Sequence, residues 1–318
     1  MMTRKTMRTS LLHHRGLGRW AVPLLALLAA MPPLLQALGM EFYVGVLSRV
    51  LIFAIAASSL NLILGFGGLI SFGHAAFVGL GAYTVGILMD AGIASPWIAW
   101  PAAMGISALA AALIGAVSLR TRGVYFIMIT LAFAQMFYYL VVSLKAYGGE
   151  DGLSLPTRVL KDDAQFFWLL LAIAAAVMFA LQRLVNSPFG RLLQGSKENE
   201  QRMSAVGASV FAIQWQAFVI AGALAGLAGA LLAHQNGLVT PHMLHWSQSG
   251  QLMVMVIIGG AGGLYGGALG AAVLLLLEEA LSGYTVHWQM ALGLLLLAVV
   301  LFAPQGLGGF FRRRASHG

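Results

Sequence analysis

The 318-residue chain has no cysteine. That excludes a disulfide framework, thiol nucleophiles and cysteine-ligated metal centres. Charge is scarce as well. Asp, Glu, Lys and Arg make up 9% of the residues, where soluble domains carry about 25%. Between Trp20 and Ser118 the only ones are Glu41, Arg49 and Asp90. The longest polar stretch runs from Asn186 to Gln214, too short for a separate soluble domain. A nucleotide-binding P-loop is missing too. Gly190 to Lys197 comes near, but Ser196 precedes Lys197, so amine and hydroxyl are misplaced for phosphate and magnesium. The chain therefore has no means of hydrolysing ATP alone. No catalytic constellation, cofactor motif or firm metal set is expected.

What is present is apolar sequence. Hydrophobic residues make up 60% of the chain, and the mean hydropathy is +0.87. A helix needs roughly 20 apolar residues to cross about 30 Å of hydrocarbon. Backbone in lipid must satisfy its own hydrogen bonds, so apolar runs of that length read as helices. The expectation is an all-α, polytopic transmembrane bundle of about ten spans: 20–39, 43–64, 69–89, 96–118, 124–143, 166–185, 214–234, 247–261, 264–282 and 286–303. The eighth is short and flanked by glycine, as a re-entrant segment would be. The start resembles a signal peptide, with Leu24 to Ala30 as its apolar core. The apolar stretch continues through Leu38, so an uncleaved first span is expected.

Lysine and arginine bias sets orientation. Arg4, Lys5, Arg8, Arg15 and Arg19 crowd the first 19 residues, and Arg312, Arg313 and Arg314 lie in 312–318. Arg120 and Arg122 fill one loop, and Arg183, Arg191, Lys197 and Arg202 mark the polar stretch. An even number of spans puts all four groups in the cytoplasm, with both tails inside and residues 20–311 forming the membrane domain. Glu41, Asp90, Glu150, Asp151, Asp162 and Asp163 then face outwards, with Lys145, Arg158 and Lys161 as basic exceptions among them. This bias accounts for the net charge of +8, and the dispersed basic residues do not suit nucleic acid.

Small residues recur four apart: Gly222 with Gly226; Gly259, Gly263 and Gly267; Gly262, Gly266 and Gly270. Such spacing lets helix backbones approach. Two glycine-rich blocks, 65–81 and 259–270, occupy the two halves and hint at the paired interrupted segments of transporters. Among intramembrane polar groups, Asn61, Ser71, His74 and Gln135 are candidates for a pathway or gate, against the plainer reading of hydrogen bonds between helices. Glu278 and Glu279 read as interfacial acids. His234, His242 and His245 are expected in an outer loop, short of a metal set. Trp97, Trp100, Trp168, Trp246 and Trp288 fit an aromatic belt.

The polar stretch is the most informative feature. It reads NSPFGRLLQGSKENEQRMSAVGASVFAIQ between two long apolar runs. Gly190-Arg191, then Lys197-Glu198-Asn199-Glu200, then Ala205-Val206-Gly207 resemble the coupling loop of ABC importer permeases. Together with LNLILGFGGLISFGHAAFVGLGAY (60–83), YGGEDGL (147–153), AFVIAGALAGLAGAL (217–231), MVMVIIGGAGGLYGGALGAA (253–272) and FAPQGLGGFF (302–311), it resembles the LivM-type branched-chain amino acid permeases. The blocks span nearly the whole chain in order.

That resemblance implies a type II-like importer architecture with a cytoplasmic coupling loop at 186–213. Gly190, Arg191, Glu198, Asn199, Ala205 and Gly207 would form its helix and turn, and the helix would begin after Ser187-Pro188 and end at Gly207. It further implies two ATP-binding subunits, a homologous second permease of LivH type and a periplasmic solute-binding protein, all at a bacterial inner membrane. Leucine, isoleucine and valine are the expected cargo. Urea, short amides and aromatic compounds are alternatives within the same family. An autonomous secondary transporter would need paired acids within the spans, and the middles of these spans carry none.

Overall fold

The computed structural model describes residues 21–93, 95–155 and 162–284, with short stretches at 287, 289–290, 292–294, 296–297 and 306–307. Its helices are α1 (Ala21–Ala37), α2 (Phe42–Asn61), α3 (His74–Asp90), α4 (Pro96–Ser118), α5 (Val124–Ser143) and α6 (Asp163–Asn186), then α7 (Pro188–Glu198), α8 (Glu200–Ala205), α9 (Val210–Asn236), α10 (Trp246–Gly259) and α11 (Gly266–Ser282). Among the described residues, five helices are long and apolar enough to cross a membrane: α2 with its continuation to Phe66, α4, α5, α6 and α9. Shorter helices α1, α3, α10 and α11 overlap the other expected spans up to 264–282, and of these Leu25–Ala37 and His74–Asp90 are shorter apolar helices. The span expected at 286–303 lies mostly outside the described residues, as do both basic tails, Arg158, Lys161 and Trp288.

α9 is the hub, packing on α2, α3 and α4, while α11 packs on α2 and α10. In α2 and α9, 78% of the apolar window is buried inside the protein, against 22% in α5. Glycine makes the hub possible. A Cβ on Gly222 would sit 2.4 Å from Ala111 Cβ, one on Gly226 2.8 Å from the Ala103 carbonyl, and one on Gly229 1.8 Å from the Val78 carbonyl. Lipid tails are as apolar as leucine, so close packing of this kind replaces the hydrophobic effect as the glue. Phe77 and Phe126 then wedge edge-on against Phe218, at ring centroid distances of 5.5 and 6.2 Å.

The second set of glycines behaves differently from the expectation. Gly259, Gly263, Gly267 and Gly262, Gly266, Gly270 do not form two continuous helix faces, because the helix breaks after Gly259 and resumes at Gly266; only Gly266, Gly267 and Gly270 lie on α11, where Gly267 meets α2 and Gly270 meets α10. Gly260 and Gly262 take positive φ angles of 101° and 80°, which L side chains resist. Gly259 and Gly270 instead face each other across the break, and a Cβ on Gly270 would lie 1.6 Å from the Met255 carbonyl.

At the opposite end, Leu153–Ser154 pairs antiparallel with Leu238–Val239. Two expectations there are corrected. Trp100 is not a lipid-belt residue: it is buried, and its indole points at His234 Nδ1 at 3.4 Å. His234 is not in a loop: it closes α9, buried, with Nδ1 2.8 Å from the Ala230 carbonyl oxygen. α9 runs two residues past the end of the expected span, to Asn236, so His234 falls in its last turn. Glu278 lies 4.0 Å from Arg49 across α11 and α2. Among the described residues no three His, Asp or Glu side chains gather closely enough to hold a metal ion.

Candidate functional site

The chain between α2 and α3 is not a loop outside the bundle. α2 widens into a π-helical turn, Leu62–Phe66, and residues 67–73 then run back along α2 without helical structure. The expected span 69–89 thus starts its helix only at His74. Apolar Leu69 and Ile70 make the stretch look helical in sequence, but other elements capture its backbone. The Phe72 N–H donates to Thr130 Oγ1 of α5 at 3.3 Å, and the Ala75 N–H donates to Ser249 Oγ of α10 at 2.8 Å. Within the stretch, the Gly73 N–H donates to Ser71 Oγ at 3.2 Å. Broken helices are tolerated at membrane depth when the freed backbone groups are satisfied in this way.

His74 is fully buried, with Nε2 2.8 Å from Ser59 Oγ. The Ser59 hydroxyl donates its one proton to the Ala56 carbonyl at 2.7 Å, so its oxygen accepts from His74 Nε2–H. His74 Nδ1 is buried with no partner among the described residues. Ser71 is buried beside it. Gln135 is half-buried on α5 and makes no hydrogen bond to a described residue, so it does not join this cluster.

Asn61 has a different role from the others. Its Nδ2 donates to the Gly263 carbonyl at 2.7 Å and its Oδ1 accepts from the Gly262 N–H at 3.0 Å. One side chain thus ties the break after α2 to the break between α10 and α11. Both glycine-rich blocks meet here, and Gly65 presses on Gly262 without a side chain to separate them. Replacing Asn61 with leucine would leave the part-buried Gly262 N–H and Gly263 carbonyl without this partner, at no more than about 1–3 kcal/mol each. The expected result is a chain that still inserts but loses thermal stability in detergent, measured by fluorescence-detected size-exclusion after heating.

Below this junction lies the polar stretch. The expectation of one short helix is corrected to two. Ser187 caps α7 and Asn199 caps α8, the latter accepting from the Arg202 N–H at 2.8 Å. Asn199 intervenes because its extended backbone, φ −161°, ends α7 there. Gly207, at φ +89°, follows α8. Gly190 seats α7 on the end of α6, where a Cβ would lie 2.2 Å from the Val185 carbonyl. Leu193 is buried, and Met203 of α8 folds back over Gly195. Arg191, Glu198, Ala205 and Gly207 remain exposed.

Lys197, Glu200 and Val206 belong to the motif that the sequence pointed to, but their surroundings were not anticipated. Glu200 pairs with Arg122 of the α4–α5 loop and accepts from Gln214 of α9. Arg122 is 77% exposed, so the pair is worth at most about 1 kcal/mol. Arg122→Gln is accordingly expected to shift thermal stability by less than that, with the difference vanishing in high salt. Val206 is 79% exposed between Ala205 and Gly207, an apolar side chain on an otherwise polar tip. Lys197 donates from Nζ to the Gly65 carbonyl at 2.7 Å, connecting α7 to the π-helical turn. The exposure of Val206 and the long-range partners of Lys197 and Glu200 leave no local sequence signal.

The profile described as "Branched-chain amino acid transport system / permease component" matches residues 42–303. The chain is 28% identical over 294 residues to the high-affinity branched-chain amino acid transport system permease protein LivM of Salmonella typhimurium, covering 83% of this chain and 69% of that one. It is 26% identical over 310 residues to the probable LivM of Methanocaldococcus jannaschii, covering 80% and 90%. It is 27% identical over 145 residues to LivH of Escherichia coli, covering 45% and 46%. No solved structure matches. The break-bearing helices and the polar hairpin both fall inside the matched range, and the chain belongs to the permease component family of branched-chain amino acid transport systems, as a polytopic membrane protein of LivM type.

Proposed function

We propose that this chain is a non-catalytic, membrane-spanning subunit of an ATP-driven importer of branched-chain or other hydrophobic amino acids, working by alternating access. The observation that carries the reading is the α7–α8 hairpin. It is pinned to α6 through Gly190, to the α4–α5 loop through Arg122 and to α9 through Gln214, yet it presents Arg191, Glu198, Ala205, Val206 and Gly207 to solvent. A rigid, exposed, apolar-tipped hairpin suits a partner's groove. Since the chain has no P-loop, two ATP-binding subunits would supply the energy through that contact. A LivH-like second permease and a periplasmic binding protein would complete the system at a bacterial inner membrane, with the hairpin and both tails cytoplasmic.

Cargo choice would rest largely with the binding protein, which fits the small number of polar groups among the buried residues of the spans. Leucine, isoleucine and valine lead, in keeping with the family description. A relative named as an autoinducer 2 import permease is 27% identical over 244 residues. The scaffold thus serves relatives named for unlike solutes, and urea, short amides or aromatic compounds stay within the same proposal. Affinity purification of the tagged chain from native membranes in mild detergent tests the assembly. Two ATPases and a second permease are expected to accompany it; recovery of this chain alone, still competent for transport, would refute it.

A further inference from the structure

We infer that Lys197 is the positioning residue through which movement of α7 reaches both broken-helix turns at once. The inference rests on the importer reading, in which a partner moves the hairpin. It goes beyond that reading by naming the contact that carries the motion.

Three observations converge on the contact. First, Lys197 Nζ lies 2.7 Å from the Gly65 carbonyl oxygen, within the π-helical turn. Neighbouring carbonyls Leu62, Ile63 and Leu64 accept from the N–H groups of Gly67, Leu69 and Gly68, so the ammonium serves a carbonyl that the turn itself leaves over. Second, the fit is built. Gly68, at φ +72°, lies against the lysine stem, and a Cβ there would be 2.8 Å from Lys197 Cγ. On Gly67 a Cβ would be 3.4 Å from Leu193 Cδ1. Two adjacent residues without side chains thus receive two α7 side chains. Third, the turn does not end the chain of contacts. Gly65 abuts Asn61 and the Gly262 backbone, and Asn61 holds Gly262 and Gly263 with two hydrogen bonds. Gly306 then closes on Gly260 from the far side, where a Cβ would come within 2.5 Å.

The path from α7 to the α10–α11 break therefore runs through one ammonium, one carbonyl and one amide side chain. α6 and α9 also flank the hairpin, but they are continuous helices of 24 and 27 residues with no such break. The two breaks are the places where backbone can change direction, since helix irregularities of this kind recur where proteins hinge. An ammonium–carbonyl bond is charge-assisted, and it is stronger than a neutral pair.

The cysteine-free chain allows a direct test in the assembled transporter purified with its partners. S71C places a thiol at a buried position in the extended stretch. R191C places a second one on the exposed face of α7. Methanethiosulfonate labelling of this chain is followed by mass spectrometry, with and without ATP plus vanadate. With Lys197 present, trapping is expected to change the S71C labelling rate by about fivefold or more, as for a coupling of 1–3 kcal/mol. Lys197→Met keeps the stem and removes the ammonium; it should abolish the change, and Lys197→Arg should restore part of it. A response at S71C that survives Lys197→Met, or that never occurs with Lys197 present, overturns the inference. R191C separates the two levels of the argument. It should be shielded by the ATPases in every variant, and its free labelling in the complex would instead defeat the importer reading.

Discussion

Gly65→Ala is expected to prevent stable folding, while Gly105→Ala, on the same chain, is expected to be neutral or mildly stabilising. The added methyl at Gly65 would lie 2.0 Å from Asn61 Oδ1, 2.3 Å from the Gly262 nitrogen and 2.9 Å from its Cα. Two of these atoms are backbone in a turn already held at positive φ, so they cannot step aside cheaply. The third belongs to the amide that clips the two breaks together. Overpacking costs about 1–3 kcal/mol, and breaking the Asn61 clip adds about 1–3 kcal/mol for each orphaned group. The sum is a large part of the stability of an ordinary domain. At Gly105 nothing lies within 4 Å of the added methyl. The residue is in the interior of α4, where alanine is preferred to glycine by about 0.5–1 kcal/mol. Heating purified variants in detergent and counting the surviving monodisperse fraction measures the contrast. Equal behaviour of the two variants would mean the breaks are not packed as described.

The second large effect concerns the hairpin tip. Val206→Asp is expected to leave folding intact and to reduce ATP-driven uptake by at least about thirtyfold, the consequence of losing an interface anchor worth 2 kcal/mol or more. Val206 is 79% exposed, so nothing inside the protein loses a contact. Surface substitutions of this kind normally alter stability by no more than about 0.5 kcal/mol. The proposed groove on the ATPase would instead meet a carboxylate that it must desolvate. Leu193→Asp is the control on the other face of the hairpin. That side chain is fully buried, so its replacement should destabilise the protein whatever the partners do. Pull-down of the ATPase alongside uptake distinguishes the outcomes. Normal uptake by the Val206 variant would remove the tip from the docking surface.

Helix positions were largely legible because lipid leaves few alternatives. α4 and α5 occupy 96–118 and 124–143, the ranges anticipated from hydropathy. Pro96 opens one with no N–H to waste, and Gly123, at φ +60°, makes the sharp entrance to the other. The polar stretch announced itself by composition, and Ser187-Pro188 marked the start of α7. What escaped was everything decided by partners far along the chain. Leu69 and Ile70 read as helix, since nothing nearby reveals that Thr130 and Ser249 will take the backbone of 72–75. Asn61 stood out as an intramembrane amide, but a clip and a gate look alike until residues 201 and 202 positions away are placed beside it. Lys197 figured in the coupling-loop pattern, in a failed P-loop comparison and in the charge bias, and none of these pointed to the Gly65 carbonyl. The recurrence of glycine every four residues suggested a helix face at 259–270, but the positive φ of Gly260 and Gly262 made a turn of its first half, leaving Gly266, Gly267 and Gly270 to pack from α11. In α9 the same spacing did mark a packing face.

On the proposed function, this chain moves solute on power delivered by ATPases through its hairpin. The most direct test is uptake of radiolabelled leucine into membrane vesicles loaded with ATP and supplied with the binding protein, compared with and without a protonophore and with and without vanadate. The account predicts uptake that survives collapse of the proton gradient and stops with vanadate. Uptake that vanadate leaves untouched and the protonophore abolishes would contradict it, and would make the chain a carrier driven by an ion gradient.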